Sequence, residues 1–299
     1  NILNKLDGRD DRFAGKTIHL AADLDMAGKP FRAMGGHADD MVFAGTFEGQ
    51  GHIISNLKIT EKGLSDDYVA LFARLSGGGA IRNLGLEKVT VDVPDAKNQA
   101  AFVGQLIDGS IPVTIENCFV RDADIKVTIT NDGRVGGFAA VVSNYPENTT
   151  LNTVKNCYTV NVRFSRGDGE GNGGYGFGHF AGLSEGGEFI NCYSGGVTGK
   201  PSDSVLPNRT LSFGILKNGV KDTNCYSDCY ADDGALDWFF ENGFKRGGSN
   251  VSTSDLKGMT GDVALGAEFV KAENDSYNHG YPFLKWEEKY VEKSKQNPP

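Results

Sequence analysis

The chain has 299 residues with 41 glycines and only 9 prolines, a pairing that excludes a collagen or a Pro-rich linker and fits one large solenoid or two ordinary domains. Thirty basic residues against 39 acidic ones give a formal net charge of −9, so the whole-chain field repels phosphate backbones and anionic lipid, and no nucleic-acid partner is expected. No apolar run approaches the ~20 residues needed to cross a bilayer, so this segment is not expected to insert into a membrane. A start at asparagine points to a processed or excised segment.

An apolar-x-Asn-Leu/Cys core recurs along the chain. It reads Ile54-Ser55-Asn56-Leu57, Ile81-Arg82-Asn83-Leu84, Ile115-Glu116-Asn117-Cys118, Val154-Lys155-Asn156-Cys157 and Phe189-Ile190-Asn191-Cys192, with a sixth copy at Asp222-Thr223-Asn224-Cys225 that has lost its leading apolar residue. The asparagines lie 27, 34, 39, 35 and 33 residues apart, a period that means a solenoid, propeller or array. Between the cores stand short apolar strings such as Phe102-Val103-Gly104-Gln105-Leu106 and Phe180-Ala181-Gly182-Leu183, and after them alternating runs such as Ile125-Lys126-Val127-Thr128-Ile129. Each repeat is therefore predicted to supply about three short strands and no helix. That pattern suits one coil of a parallel β-helix, whose strands pair with their counterparts a coil later at ~4.8 Å. A propeller would need four antiparallel strands per blade and hairpin turns, and no regular Asn-Gly or Asp-Gly series occurs.

In Ile115-Glu116-Asn117-Cys118-Phe119-Val120 the inward alternation breaks at Asn117, so the chain bends there, and asparagine tolerates the left-handed conformation a tight bend needs. Asn56, Asn83, Asn117, Asn156, Asn191 and Asn224 are expected to stack as one ladder, each amide donating to the carbonyl of the next coil. Cys118, Cys157, Cys192 and Cys225 then form an inward stack of small hydrophobes with free thiols; Cys229 lies outside this register. The residue after each of these cysteines points outward and reads Phe119, Tyr158, Tyr193 and Tyr226. Spaced at ~4.8 Å, these rings would make an aromatic stripe able to stack on sugar rings, unless loops or neighbouring rings cover it.

The string Phe43-Ala44-Gly45-Thr46-Phe47-Glu48-Gly49-Gln50-Gly51-His52-Ile53-Ile54-Ser55-Asn56-Leu57-Lys58-Ile59, followed by Leu71-Phe72 and Ile81-Arg82-Asn83-Leu84-Gly85-Leu86, resembles the GLUG-motif family of bacterial surface and secreted proteins. The resemblance implies a right-handed parallel β-helix. It extends to Phe13-Ala14-Gly15-Lys16-Thr17-Ile18-His19-Leu20 as a strand leading into the first coil, and to Gly280-Tyr281-Pro282-Phe283-Leu284-Lys285-Trp286 as a closing segment. The chain departs from the family in its Phe-Val-Gly, Phe-Ala-Ala and Phe-Ala-Gly strings, in the glycine-rich insertion from Gly167 to Gly178, and in the run Leu236-Asp237-Trp238-Phe239-Phe240, which aligns with no coil. The family carries no shared catalytic motif. It implies an extracellular or cell-surface bacterial location and an adhesin-like role.

Right-handed β-helices also host polysaccharide lyases and glycosidases, which work through paired carboxylates. The candidates are Asp66-Asp67, Asp168 with Glu170, and Asp232-Asp233 with Asp237, each in a Gly- or Ser-containing loop where solvated acids are ordinary. Asp23-Leu24-Asp25, Asp122-Ala123-Asp124 and Asp168-Gly169-Glu170-Gly171 invite calcium, although none matches an EF-hand loop or a nonapeptide array. No other cofactor is implied: His19, His37, His52, His179 and His279 lack paired ligand spacing, and no Gly-x-Ser-x-Gly elbow occurs.

The expected architecture is thus an all-β, right-handed parallel β-helix solenoid: an N-terminal lead-in over 1–40, repeats over 41–232, a closing segment over 233–288 and a tail over 289–299. The expected role is a non-catalytic surface or secreted module that binds a glycan or a surface protein through the solenoid face, with Phe119, Tyr158, Tyr193, Tyr226 and Trp238 as the candidate ligand contacts. The alternative is a carbohydrate-active enzyme, a polysaccharide lyase or glycosidase, on the same coil.

Overall fold

The structure is a computed structural model that describes residues 13–34, 42–62, 67–94, 96–107, 110–127, 133–143, 151–166, 176–198, 210–231, 237–259 and 264–296. It is mostly β, with long parallel sheets curled around one core in the manner of a parallel β-helix. Among the described residues no helix is long and apolar enough to cross a membrane.

Each coil traverses up to five short faces. The first face stacks Thr17–His19 on the start of Thr46–Ser55, and then Ala80–Glu87, Thr114–Glu116, Thr153–Lys155, Glu188–Ile190 and Lys221–Thr223. The second carries Leu24–Asp25, then the later parts of Thr46–Ser55 and Ala80–Glu87, the starts of Phe119–Val127 and Tyr158–Arg166, and Tyr193–Gly195, Tyr226–Ser227 and Ser249–Asn250. The third runs from Pro30–Arg32 through Lys58–Glu61 and Thr90–Asp92 to the ends of Phe119–Val127 and Tyr158–Arg166. The fourth stacks strands of two or three residues, from Tyr68–Val69 to Thr210–Leu211. The fifth stacks Phe72–Leu75, Val103–Leu106, Ala139–Val142, Ala181–Ser184 and Gly214–Lys217, and ends on the antiparallel strand Phe244–Arg246. Sequence patterning predicts three strands per repeat because the fourth-face strands are too short to show alternation. The Asn core, moreover, is a corner joining two faces.

That corner is built as the repeat predicts. Asn83, Asn117, Asn156, Asn191 and Asn224 all hold φ between 51° and 56°, the left-handed region that turns the chain without breaking the inward placement of Ile115 and Cys118 on either side. Their amides form a continuous ladder: Nδ2 of Asn224 donates to Oδ1 of Asn191 at 3.0 Å, Asn191 to Asn156 at 3.0 Å, Asn156 to Asn117 at 2.9 Å and Asn117 to Asn83 at 3.2 Å. Asn83 closes the ladder on Oε1 of Glu48 at 3.0 Å. The donation runs toward the preceding coil, opposite to the direction expected from sequence.

Asn56 is not a rung of this ladder. Between Glu48, which pairs with Arg82, and His52, which pairs with Leu84, the first coil inserts Gly49, Gln50 and Gly51 where the next coil has only Asn83. Asn56 therefore falls at the second corner, beside Lys88, and its Nδ2 donates to Asp25 at 2.9 Å. The spacing of 27 residues between Asn56 and Asn83, the shortest in the series, carries this shift. The second corner has its own left-handed column, with Ala27, Asn56, Lys88, Asp122 and Asn161 at φ between 53° and 55° and Gly196 at 92°.

Inside the coil, Leu84, Cys118, Cys157, Cys192 and Cys225 stack fully buried beside the ladder, and all five cysteines of the chain are buried and free. Opposite them Phe102, Phe138, Phe180 and Phe213 stack nearly parallel, with centroids 4.5, 5.0 and 4.7 Å apart. Toward the later coils the core takes up polar side chains, each with a bond: Thr159 donates to the His179 carbonyl at 2.9 Å, and Ser194 and Ser227 both donate to the Ser212 carbonyl. His179 is itself buried, with Nδ1 3.1 Å from the Val162 carbonyl. Burial lowers its pKa to about 4.

Two predictions follow from the ladder and the core. Asn156→Ala removes a rung and the residue type that tolerates this φ, so it should destabilise the chain by about 1–3 kcal/mol in urea unfolding. For His179 the folded value lies below the unfolded one, so the unfolded chain takes up a proton that the folded chain refuses. Stability should fall by about 3 kcal/mol from this group as pH drops from the ordinary histidine value to 4. His179→Gln should flatten the pH dependence of unfolding across that window.

Candidate functional site

The outward aromatic stripe exists, and it is not available to a ligand. Phe119, Tyr158 and Tyr193 stack with centroids 5.0 and 5.1 Å apart and interplanar angles of 12° and 3°, yet each is 0% exposed. The Phe119 ring lies flat over Gly85, where a Cβ would come within 2.4 Å of it. The cover is the closing segment: Leu256, Leu265, Phe269, Tyr281 and Leu284 pack on the three rings, with Tyr226 half-buried at the margin. Trp286 continues the stack, 5.5 Å from Phe119, and its Nε1 donates to the Asn117 carbonyl at 3.1 Å. The rings proposed from sequence as ligand contacts are thus the docking surface for the chain's own C-terminal part. Trp238 lies in the short helix Asp237–Glu241, which explains why its run aligns with no coil; its side chain lies outside the described residues.

A buried polar network locks this dock. Glu287, fully buried, accepts from the hydroxyls of Tyr158 and Tyr277 at 2.9 Å and from the Leu284 N–H at 2.8 Å. It faces Arg121 at 3.4 Å, which also reaches Glu87 at 3.2 Å. Burial raises the Glu287 carboxyl above its ordinary value, with Arg121 and the donors acting against that rise. Burial likewise works to lower Arg121, but the facing Tyr158, Tyr277, Glu287 and Glu87 hold the guanidinium well above its usual value. No sequence signal marks Glu287 as the partner of Arg121, because 166 residues separate the two.

The open site lies on the neighbouring corner. A cleft of about 680 Å³ runs along the second left-handed column, from Ala27 and Asn56 past Lys88 and Asp122 to Asn161 and Arg163. Register sets its floor: Lys58 pairs with Thr90, Thr90 with Asp124 and Asp124 with Arg163, so outward polar side chains repeat at one coil each, ~4.8 Å. Within it Asp122 accepts from Nδ2 of Asn161 at 2.5 Å and lies 2.9 Å from Nε2 of His279, which the closing segment brings to the rim. Asp124 accepts from Ser165 at 2.7 Å, and Arg163 donates to Asn161 at 3.1 Å. Sequence reading picked out Asp122 and Asp124 only as calcium candidates and passed over Lys58, Lys88, Asn161 and Arg163. Their convergence follows from the coil-to-coil register, and the bulge adds Asn56 to this corner.

The aspartate pairs considered for calcium bond to the protein. Asp23 takes the His52 Nδ1 at 3.0 Å, the Ile53 N–H at 3.1 Å and the Tyr290 hydroxyl. Burial pushes its carboxyl up, and these three bonds outweigh it and leave it below its ordinary value. Asp25 accepts from Asn56 and from the Ala27 N–H. Among the described residues no group of three or more His, Cys, Asp or Glu side chains is placed to hold a metal ion. Asp66, Asp168, Glu170, Asp232, Asp233 and most of the Gly167–Gly178 insertion lie outside the described residues, as does His37. The strand Gly176–Gly178 at the end of that insertion belongs to the fourth face.

No protein-family model matches the chain. It is similar to halomucin of Haloquadratum walsbyi, 32% identical over 99 residues that make up 33% of this chain and 1% of that protein. The chain therefore spans a very small part of this curated relative. Among solved structures, the crystal structure of a "putative immunoglobulin A1 protease" from Bacteroides ovatus matches with a TM-score of 0.58 and 20% identity, covering 91% of this chain and 86% of that one. At that identity the match establishes a shared fold.

Glu287→Ala should leave buried Arg121 with Glu87 but without its more deeply buried carboxylate, and the Tyr158 and Tyr277 hydroxyls without their acceptor, at a cost of about 3–5 kcal/mol. The loss should appear first as faster hydrogen exchange and proteolysis across 253–290, with the ladder strands still protected. Glu287→Gln should cost less, because its amide oxygen still accepts.

Proposed function

We propose that the chain is a non-catalytic, adhesin-like module of a bacterial surface or secreted protein, that its coil winds right-handed as in the GLUG-motif repeats it resembles, and that it binds an extended glycan. The observation that carries the reading is the open corner cleft, where polar side chains repeat once per coil over several coils. Solenoids use such extended surfaces for binding, and a coil rise of ~4.8 Å is close to the length of one pyranose ring. The similarity to a segment of halomucin and the fold shared with the "putative immunoglobulin A1 protease" support a surface or secreted setting.

The test is retention of the purified chain on immobilised host and plant polysaccharides, with assay of reducing ends and unsaturated products. Retention without product release is expected, and the double variant Asp124→Ala/Asn161→Ala should weaken it about tenfold, or ~1.4 kcal/mol, without lowering the unfolding midpoint by more than a few degrees. Product release would favour the lyase or glycosidase alternative. Undiminished retention in the double variant would move the site off this cleft.

A further inference from the structure

The charges in the cleft point to one ligand chemistry. In a chain of net charge −9, three cations converge there: Lys58, Lys88 and Arg163 all line it. Elsewhere on the coil lysines meet carboxylates across neighbouring strands, as Lys126 does with Asp92 at 2.8 Å and Lys155 with Glu116 at 3.6 Å. Among the described residues Lys58, Lys88 and Arg163 have no carboxylate at ion-pair distance. The two acids that share the cleft already accept from the protein, Asp122 from Asn161 and Asp124 from Ser165.

The position of Lys88 is itself informative. At this corner the coils before and after it carry Asn56, Asp122 and Asn161, residues suited to a left-handed backbone, whereas Lys88 holds φ 55°. A lysine gains nothing from the local side chain-to-backbone bonds that make asparagine and aspartate tolerant of this region. Lys58, Lys88 and Arg163 are also spread along the stack: Lys58 and Arg163 are three coils apart, ~14 Å at the spacing of paired strands. A single small anion cannot span that distance, whereas a chain with an anionic group every sugar or two can.

We propose that the cleft binds a uronate-bearing glycan, with Lys58, Lys88 and Arg163 taking its carboxylates and the carbohydrate hydroxyls meeting Asp122, Asp124 and Asn161. The proposal rests on the reading of the chain as a glycan-binding module and adds the class of glycan. Arg163 suits a planar carboxylate because its guanidinium can pair in bidentate fashion. A denser polyanion such as a nucleic acid is disfavoured by the net charge and by the two carboxylates inside the cleft.

The experiment compares affinity of the purified chain for polygalacturonate, hyaluronate, heparin and neutral xyloglucan at low and physiological salt. Binding to polygalacturonate and hyaluronate, the two polymers whose only anionic group is the uronate carboxylate, is expected, weaker at higher salt. Lys58→Ala/Lys88→Ala should lower it about tenfold or more, with Arg163→Ala acting in the same direction and circular dichroism unchanged. Lys155→Ala/Lys221→Ala, on another face, should leave it unaltered. Tight binding to xyloglucan alone would overturn the uronate assignment and keep the module reading; binding to none of the four would remove both. Preference for heparin over polygalacturonate, or uronate binding that survives loss of both lysines, would also overturn the proposal.

Discussion

The structure depends on one backbone event repeated in register: from the coil of Asn83 onward, a single residue in the left-handed region at the end of the first face. With φ fixed near 50° by asparagine at Asn83, Asn117, Asn156, Asn191 and Asn224, every coil leaves the corner in the same direction, and its strands meet those of the coil before it. The amide ladder makes that geometry mutually reinforcing, since each rung satisfies the Oδ1 of its predecessor and the series ends on the carboxylate of Glu48. The phenylalanine stack, the thiol stack and the outer ring stack are consequences of the same register. Like side chains fall above like side chains because the corners do.

The ladder, the inward cysteines and the parallel pairing were legible in the sequence because each is a local pattern repeated at a fixed period. What was not legible is where the period slips. The Gly49-Gln50-Gly51 insertion shifts Asn56 into the second corner, and its trace in the sequence is only the short spacing of 27 residues to Asn83, which does not say in which coil the extra residues fall. That shift sets Asn56 in a cleft whose other polar side chains, from Lys88 to Arg163, come from later coils and belong to no repeated string. The aromatic stripe shows the complementary limit. Its register and outward direction follow from alternation, but the partners that cover it lie far along the chain, 89 residues away for Tyr193 and Pro282 and 129 for Tyr158 and Glu287.

The two outer surfaces of the coil are treated in opposite ways. The stripe from Phe119 to Tyr193 is sealed by apolar packing and by a carboxylate that satisfies two tyrosine hydroxyls, which leaves no flat aromatic patch to attract non-specific partners. The neighbouring corner stays open, and its side chains are charged or amide-bearing. His279 joins the two, since it belongs to the closing segment and sits against Asp122 at the cleft's edge. The segment therefore shapes the margin of the open surface as well as sealing the closed one.

The helix Glu288–Gln296, which continues the closing segment into the region expected as a tail, lies at the beginning of the coil, where the Tyr290 hydroxyl reaches Asp23 and the Gly51 carbonyl. A stack of coils pulled from its two ends would ordinarily peel one turn at a time, each turn giving way at the modest force that separates two short strands. Here the C-terminal segment holds the first coil through Tyr290 and the third coil through Trp286 on Phe119 and Glu287 on Arg121, so separating the first coil from the stack also requires breaking those side-chain contacts. The beginning and the middle of the stack are thus clasped by one segment as well as by strand pairing.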